Sequence, residues 1–275
     1  MPADLSFIAP LFVPATRPER FLKAAQSGAD AIIIDLEDAV ADEDKERARD
    51  NLDNIPELDV PYIVRVNGVG TKWFESDVKA VKECGAAAVL LPKAELSSMT
   101  NQIADWLSPL PILGLIETPL GVTQAGEIAG QGLVARFVFG PADFYAEMDV
   151  EPNAAMTAHI MRGLTLASKA AGIGRPIAGP CFDFSSKQTL VEECCQDRSS
   201  GAAGKLCIHP TQPRIVIAEF CPSQKEVEWA EQVLAASSSG AVAVGGQMLD
   251  GPIFARAQSI IAKSRKAKAP GSNAN

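Results

Sequence analysis

Ile112-Leu113-Gly114-Leu115-Ile116-Glu117 is a stretch of five apolar residues closed by one carboxylate. A parallel strand buried on both faces reads as an unbroken apolar run rather than an alternating one. A run of this kind that ends in an acid delivers the acid to the C-terminal rim of the sheet, where open α/β sheets and closed barrels place their chemistry. The pattern recurs along the chain. Phe137-Val138-Phe139-Gly140-Pro141-Ala142 leads to Asp143, Tyr62-Ile63-Val64-Arg65-Val66-Asn67-Gly68 carries an arginine, and Ile32-Ile33-Ile34-Asp35-Leu36-Glu37-Asp38 carries three acids. Strand ends bearing acids and one arginine point to an enzyme that uses a divalent metal on a small anionic substrate.

Working outward from these four, apolar runs at Leu11–Pro14, Ala31–Glu37, Tyr62–Asn67, Ala88–Lys93, Ile112–Glu117, Phe137–Phe139, Pro176–Pro180 and Lys205–His209 predict eight strands. Helix signals lie between them. Pro18-Glu19-Arg20 opens one helix at the turn where proline is tolerated, Asp42-Glu43-Asp44-Lys45 opens another with its acids toward the positive end of the dipole, and Ala154–Ala171 stops at Gly172. Eight βα units predict a (β/α)₈ barrel over residues 1–220, with a doubly wound open sheet as the alternative. Beyond it a C-terminal extension, 221–266, is expected to pack on the barrel or on a neighbouring subunit. It reads as a helix at Ser223–Ala236, a Ser237-Ser238-Ser239-Gly240 linker, a hairpin over Ala241–Asp250 with a Gly-Gly turn and a helix at Ile253–Lys266. Residues 267–275 read as a disordered tail.

Composition narrows the function. The chain has 275 residues, a formal net charge of −9 and an isoelectric point near 4.9, which argues against general nucleic-acid binding. No basic-then-apolar leader and no apolar run long enough for a membrane span are visible, so a cytoplasmic protein is expected. The six cysteines form no Cys-x-x-Cys pair and there are two histidines, His159 and His209. Zinc spacings and a Ser-His or Cys-His unit are therefore disfavoured. Reduced, buried thiols are the expectation; Cys181 stands out because it falls at a strand end. There is no Gly-x-Gly-x-x-Gly and no Walker A sequence.

Magnesium takes one or two protein carboxylates and leaves room for water and substrate, so Glu117 and Asp143 are metal candidates; the alternative is that one of them caps the following helix. Arg65 on a buried strand must meet an anion. Its planar fork suits a carboxylate, either that of a substrate or that of Asp35 or Glu37, or both in layers. Alternation sends Asp35 and Glu37 to one face and Asp38 to the other, which makes Glu37 the candidate to orient Arg65 and Asp38 a cap. Lys93 is expected to pair with these acids or with substrate. Arg17 and Arg20 lie in a loop that enters a helix, where phosphate can bind. His209 reads as a hydrogen-bonded rim residue and His159 as structural.

Several segments taken together resemble one family. Leu11-Phe12-Val13-Pro14 with Arg17-Pro18-Glu19-Arg20, Gly28-Ala29-Asp30-Ala31, Asp35-Leu36-Glu37-Asp38-Ala39-Val40, Arg65-Val66-Asn67, Leu91-Pro92-Lys93, Ile116-Glu117-Thr118, Ile208-His209-Pro210 and Met248-Leu249-Asp250 are similar to the citrate lyase beta-subunit-like (CitE-like) branch of the HpcH/HpaI aldolase superfamily. The resemblance covers residues from about 10 to 265. It implies a (β/α)₈ barrel that assembles as trimers or hexamers, Mg2+ held by Glu117 and Asp143, and Arg65 gripping the carboxylate of an α-keto acid. It implies a carbon–carbon lyase with a CoA thioester as substrate, and Arg17, Arg20 and Lys23 near the CoA phosphates. It further implies that Asp250 acts as an acid/base or water-activating group at a neighbouring subunit's site. An acyl-carrier partner is possible but not indicated. The rivals are a CoA-independent pyruvate or oxaloacetate aldolase, a malyl-CoA-type thioesterase and a non-catalytic binding homologue. Two strand ends depart from the family pattern. Gly140-Pro141-Ala142-Asp143 stands where many relatives read Gly-Ala-Glu-Asp, and Ala178-Gly179-Pro180, followed by Cys181, stands where relatives often read Asp-Gly-Val.

Overall fold

Seven apolar runs become the parallel strands β1 (Pro10–Pro14), β2 (Ala31–Asp35), β3 (Tyr62–Arg65), β4 (Ala88–Leu91), β5 (Ile112–Ile116), β6 (Val134–Phe139) and β7 (Gly174–Ile177), hydrogen-bonded in chain order. The computed structural model describes residues 5–238, 243–244 and 247–267. β2, β4 and β5 are buried along their whole length, which is why their sequences show no polar alternation.

The expected eighth strand is a short closing segment. Cys207 bridges Leu11 of β1, and Lys205 bridges Ala178 just past β7, both in the parallel sense. The bonds run to both neighbours: Lys205 N to Ile8 O at 2.8 Å, Cys207 N to Pro10 O at 2.9 Å, Leu206 N to Ala178 O at 2.9 Å and Ala178 N to Gly204 O at 2.9 Å. The sheet therefore closes on itself as a barrel. The segment stops before His209 because Gln212 takes over its backbone: the Gln212 side-chain oxygen accepts from Ile208 N at 2.8 Å and from His209 N at 3.1 Å.

Alternate residues point inward. Ala31, Ile33, Ile63, Leu90, Leu113, Leu115, Val138, Ile177 and Leu206 form one packed core, so the barrel is filled rather than open. Buried Arg136 closes the N-terminal mouth, donating to the carbonyls of Leu5 and Phe7 at 2.8 Å each and of Arg175 at 2.6 Å. Each helix stops or starts where its residues dictate. Thr118 caps Pro119–Gly130 by accepting from Gly121 N, and Gly172, at φ 72°, ends Ala154–Ala171. The proline at residue 18 starts a 3₁₀ turn, Pro18–Arg20, that runs into a short α-helix, Phe21–Ala25.

The chain divides into two compact units, Met1–Ile217 and Ala218–Asn275. In the second, helices Gln224–Ser238 and Gly251–Ala267 share a core of Val227, Ala230, Val233, Ala257 and Ile260. Strands β8 (Ala243–Val244) and β9 (Gln247–Met248) pair antiparallel. Ser237 and Ser238, expected in a linker, continue the helix. Ser239 and Gly240, the start of the hairpin at Ala241-Val242, the Gly245-Gly246 turn and the tail from residue 268 lie outside the described residues. All six cysteines are free. Among the described residues no helix is long and apolar enough to cross a membrane.

Gly204 sits where the closing segment meets the chain entering β1. A Cβ there would collide with the backbone of Ile8, including its carbonyl oxygen. Gly204→Ala is expected to destabilise the barrel by about 1–3 kcal/mol through overpacking, read as a lower denaturant midpoint. An unchanged midpoint would mean that the closing seam does not constrain stability.

Candidate functional site

β2 and β3 pair with Asp35 directly opposite Arg65. That register brings the carboxylate and the guanidinium together at the C-terminal rim. Arg65 Nε donates to Asp35 Oδ1 at 2.7 Å and Nη2 to Asp35 Oδ2 at 2.6 Å, a two-point fork with both side chains buried. Arg65 Nη1 donates to Asp38 Oδ2 at 2.9 Å and lies 3.2 Å from Glu37 Oε2. Phe12 covers the guanidinium, its ring centre 5.0 Å away. Burial works against the arginine's charge, but Asp35, then Glu37 and Asp38, more than offset it and hold Arg65 protonated well above its usual range.

Two details differ from the alternation argument. Asp35, not Glu37, makes the closest contact to Arg65, because it is Asp35 that stands in register with it. Asp38, expected to cap, instead turns back onto Arg65, because β2 ends at Asp35 and strict alternation ends with it. Glu37 Oε2 is buried and near Arg65, yet the geometry gives it no hydrogen bond. Burial pushes the Glu37 carboxyl up to about 8; Arg65 opposes this, while Asp38, Glu117 and Asp35 add to it.

Glu117 follows β5 and is buried. It does not cap the next helix, since Thr118 does. Its Oε1 accepts from Lys93 N at 2.9 Å. Lys93 reaches that position in a left-handed conformation, φ 48°, and its exposed ammonium makes no ion pair among the described residues. Glycine at 140 lets the end of β6 come close: a Cβ there would lie 2.7 Å from Glu117 Oε2. Asp143 sits in the first turn of helix Pro141–Met148. Burial lifts the Glu117 carboxyl to about 7, the Lys93 amide opposes this, and the charge of Asp143 raises it further.

A hard divalent cation fits this donor set. Glu117 and Asp143 come from neighbouring strand ends, and the burial that lifts Glu117 and Glu37, to which the neighbouring acids add, is offset by positive charge. Among the described residues no group of three or more His, Cys, Asp or Glu side chains forms a complete cage. Magnesium does not need one, because it keeps several ligands for water and substrate.

The other candidates lie apart from this cluster in the sequence. Arg17 and Arg20 are exposed beside Glu19, at 2.7 and 4.0 Å, and Lys23 is exposed on the next turn. His209 bonds Thr211 and stacks on Phe184 at 5.0 Å; His159 is exposed on its helix. Asp250 belongs to the second unit, where its Oδ1 accepts from Ile253 N at 3.1 Å at the start of the last helix. Cys181 is buried, and burial followed by Glu193 pushes its thiol up to about 11, so it stays protonated at neutral pH.

The sequence reading missed Lys45, which is buried beneath the acid segment. The available signal was its spacing: Lys45, Ala48 and Leu52 recur at positions that line a buried helical face.

The model of the HpcH/HpaI aldolase/citrate lyase family matches residues 9–210. A citrate lyase subunit beta-like protein of Mycobacterium tuberculosis is 33% identical over 94% of this chain and 95% of its own length. A (3S)-malyl-CoA thioesterase of Cereibacter sphaeroides is 35% identical over 94% of this chain and 93% of its own. The crystal structure of CitE from Mycobacterium tuberculosis in complex with magnesium, acetoacetate and coenzyme A superposes with a TM-score of 0.83 at 32% identity, covering 95% of this chain and 99% of that one. With the motifs found on the rim of a barrel that this relative shares, the chain belongs to the HpcH/HpaI aldolase/citrate lyase family, in its citrate lyase beta-subunit-like branch.

Proposed function

We propose that this protein is a magnesium-dependent carbon–carbon lyase. It cleaves, or in reverse forms, a 3-hydroxy-3-carboxyacyl-CoA of the malyl, citramalyl or citryl type, giving an α-keto acid and acetyl-CoA or a related acyl-CoA. The observation that carries the reading is the rim itself: buried acids lifted to about 7 and 8 beside an arginine already oriented by Asp35. The complex of the M. tuberculosis relative with magnesium, acetoacetate and coenzyme A supports it.

Glu117 and Asp143 would hold the ion. When bound, magnesium supplies Lewis-acid polarisation of the hydroxyl oxygen that becomes the ketone. Asp35 and Asp38 use three of the five guanidinium N–H groups of Arg65. Nη1 and Nη2 each keep one, enough to grip a carboxylate at the keto-acid end. Glu37, poised to exchange a proton near neutral pH, takes the hydroxyl proton. The C–C bond then breaks with its electron pair moving into the thioester, and an acid returns a proton to the enolate carbon. Asp250 of a second copy is the group we assign to that step, in a trimer or hexamer. Arg17, Arg20 and Lys23 form the cationic edge offered to CoA phosphates, and the exposed Lys93 is available to substrate. The free cysteines suit a reducing, cytoplasmic setting. The relative named as a (3S)-malyl-CoA thioesterase favours a second reading, in which Asp250 activates water.

The deciding experiment incubates the protein and magnesium with stereoisomers of malyl-CoA, citramalyl-CoA and citryl-CoA, and measures keto acid and free CoA separately. Keto acid with intact acyl-CoA, lost on adding EDTA, is expected. Free CoA without keto acid would establish the thioesterase, and silence with metal bound would overturn both. Asp143→Ala and Glu117→Gln are each expected to lower kcat on the order of 1,000-fold, the several kcal/mol that a Lewis acid contributes; normal metal-dependent turnover in Asp143→Ala would sink the metal assignment.

Proton and metal compete for Glu117. Its carboxyl, at about 7, is ionised above that pH and protonated below it. Magnesium affinity should therefore fall as pH drops through 7, by about tenfold between pH 8 and pH 6. Calorimetric titration at the two pH values checks this, and equal affinities would count against Glu117 as a ligand.

A further inference from the structure

β2 ends at Asp35, and the three residues that follow carry the acids Glu37 and Asp38 out of the sheet. Leu36 N still donates to Arg65 O at 2.9 Å, but the carbonyls of Leu36 and Glu37 have left the ladder. A buried backbone carbonyl needs a partner. Lys45 supplies it. Its Nζ donates to Leu36 O and to Glu37 O, both at 2.8 Å, and to Asn67 Oδ1 at 2.6 Å. Three ammonium N–H groups thus meet three acceptors, none of them charged. The face of Trp73 lies 5.2 Å from Nζ.

The network continues outward. Asn67 Nδ2 donates to Leu36 O at 3.0 Å and to Asp77 Oδ2 at 2.6 Å, and Asn67 N donates to Asp77 Oδ2 at 2.9 Å. The amide can sit only one way round, since an ammonium only donates and a carboxylate only accepts. Asp77, fully buried, is matched on its other oxygen by Arg49 at 3.1 Å. A chain of bonds therefore runs from Arg49 through Asp77 and Asn67 to Lys45 and the backbone of the acid segment.

A buried ammonium bonded only to neutral groups is an expensive way to hold a loop, and stability alone is often served as well by an apolar side chain. What the ammonium adds is positive charge under the acid segment that contacts Arg65, and two directed bonds to its backbone, with a third to Asn67, that set the height of Glu37 and Asp38. We propose that Lys45 is a positioning residue: it fixes Glu37 and Asp38 against Arg65, with Asn67 as its partner, and its kinetic consequence rests on the lyase reading above.

The test uses the full chain with Lys45→Met, Lys45→Arg, Asn67→Leu and the Lys45→Met/Asn67→Leu double variant. Amide hydrogen exchange is followed by peptide, and steady-state kinetics use whichever CoA thioester the wild type turns over. In Lys45→Met, exchange should rise over residues 36–40 and stay unchanged in the far strands. kcat should fall about 10–100-fold, as for loss of a supporting shell, with KM for the CoA thioester within about twofold. Lys45→Arg, which keeps the charge, should recover part of kcat. The double variant should cost no more than the worse single one, because the two side chains act as one unit. Wild-type kcat and wild-type exchange over 36–40 in Lys45→Met would overturn the proposal, as would a loss confined to KM or exchange raised uniformly across the barrel. Should Lys45→Met fail to fold, Asn67→Leu carries the same expectations. Should the wild type turn over none of the thioesters, the lyase reading falls, while exchange over 36–40 still decides whether Lys45 positions the segment.

Discussion

Burying one guanidinium is the constraint on which the rim depends. Arg65 lies at the end of a strand whose neighbours are packed with aliphatic side chains, where an unmatched cation would cost several kcal/mol. The parallel register supplies Asp35 directly opposite, and the fork between them satisfies two N–H groups at once. Charge neutrality would be complete with Asp35 alone. The fold nevertheless adds Glu37, Asp38, Glu117 and Asp143 around it, more acid than Arg65 and Lys45 can balance. Burial raises the Glu37 and Glu117 carboxyls, and the neighbouring acids raise them further. A site held in that condition is destabilised until it takes up positive charge or protons, which is the condition in which a cation-dependent acid–base site is useful.

The other end of the barrel solves the same problem differently. Arg136 is also buried and also on a strand, and it donates to the carbonyls of Leu5, Phe7 and Arg175. These dipoles tie the chain start to β7 there. Asp30, which feels the charge of Arg136, accepts from Ile8 N and Ala9 N. The mouth built from strand N-termini is thus a fastening, and the mouth built from strand C-termini carries the surplus charge, a division expected of this architecture.

The strands were legible because burial on both faces leaves an unbroken apolar run, and seven of the eight runs are strands of the sheet. The eighth reads less well. Lys205-Leu206-Cys207-Ile208-His209 looks continuous, yet a side chain four residues further on, Gln212, captures the amides of Ile208 and His209. The acids of the rim were legible as residues but not as partners. Strand alternation orders side chains only while the strand lasts, and Asp38 lies beyond its end. Lys45 was hidden by its company: after Asp42-Glu43-Asp44 a lysine reads as one more exposed charge, and only the wider helical spacing puts it inside. Asn67 and Asp77, ten residues apart, meet through a loop whose path no short pattern encodes.

Two positions that depart from the family pattern bear on how much of the rim is chemistry and how much is shape. Cys181 is buried with its thiol pushed up to about 11, and its carbonyl is held by Gln212 at 2.8 Å. A thiol in that state neither attacks nor binds metal; it acts as a small apolar wall. Ala142 is exposed on the first turn of its helix and offers no polar group. Neither residue could replace a missing acid. The barrel residues assigned to the proposed reaction, Glu37 for the proton, Glu117 and Asp143 for the cation and Arg65 for the carboxylate, are other side chains, and the placement of Arg65 and Glu117 follows from strand register and from the backbone at Gly140 and Lys93. The departures therefore change the room beside the charged cluster rather than the cluster, and room is what separates one keto-acid or acyl group from another when the bond being broken is the same.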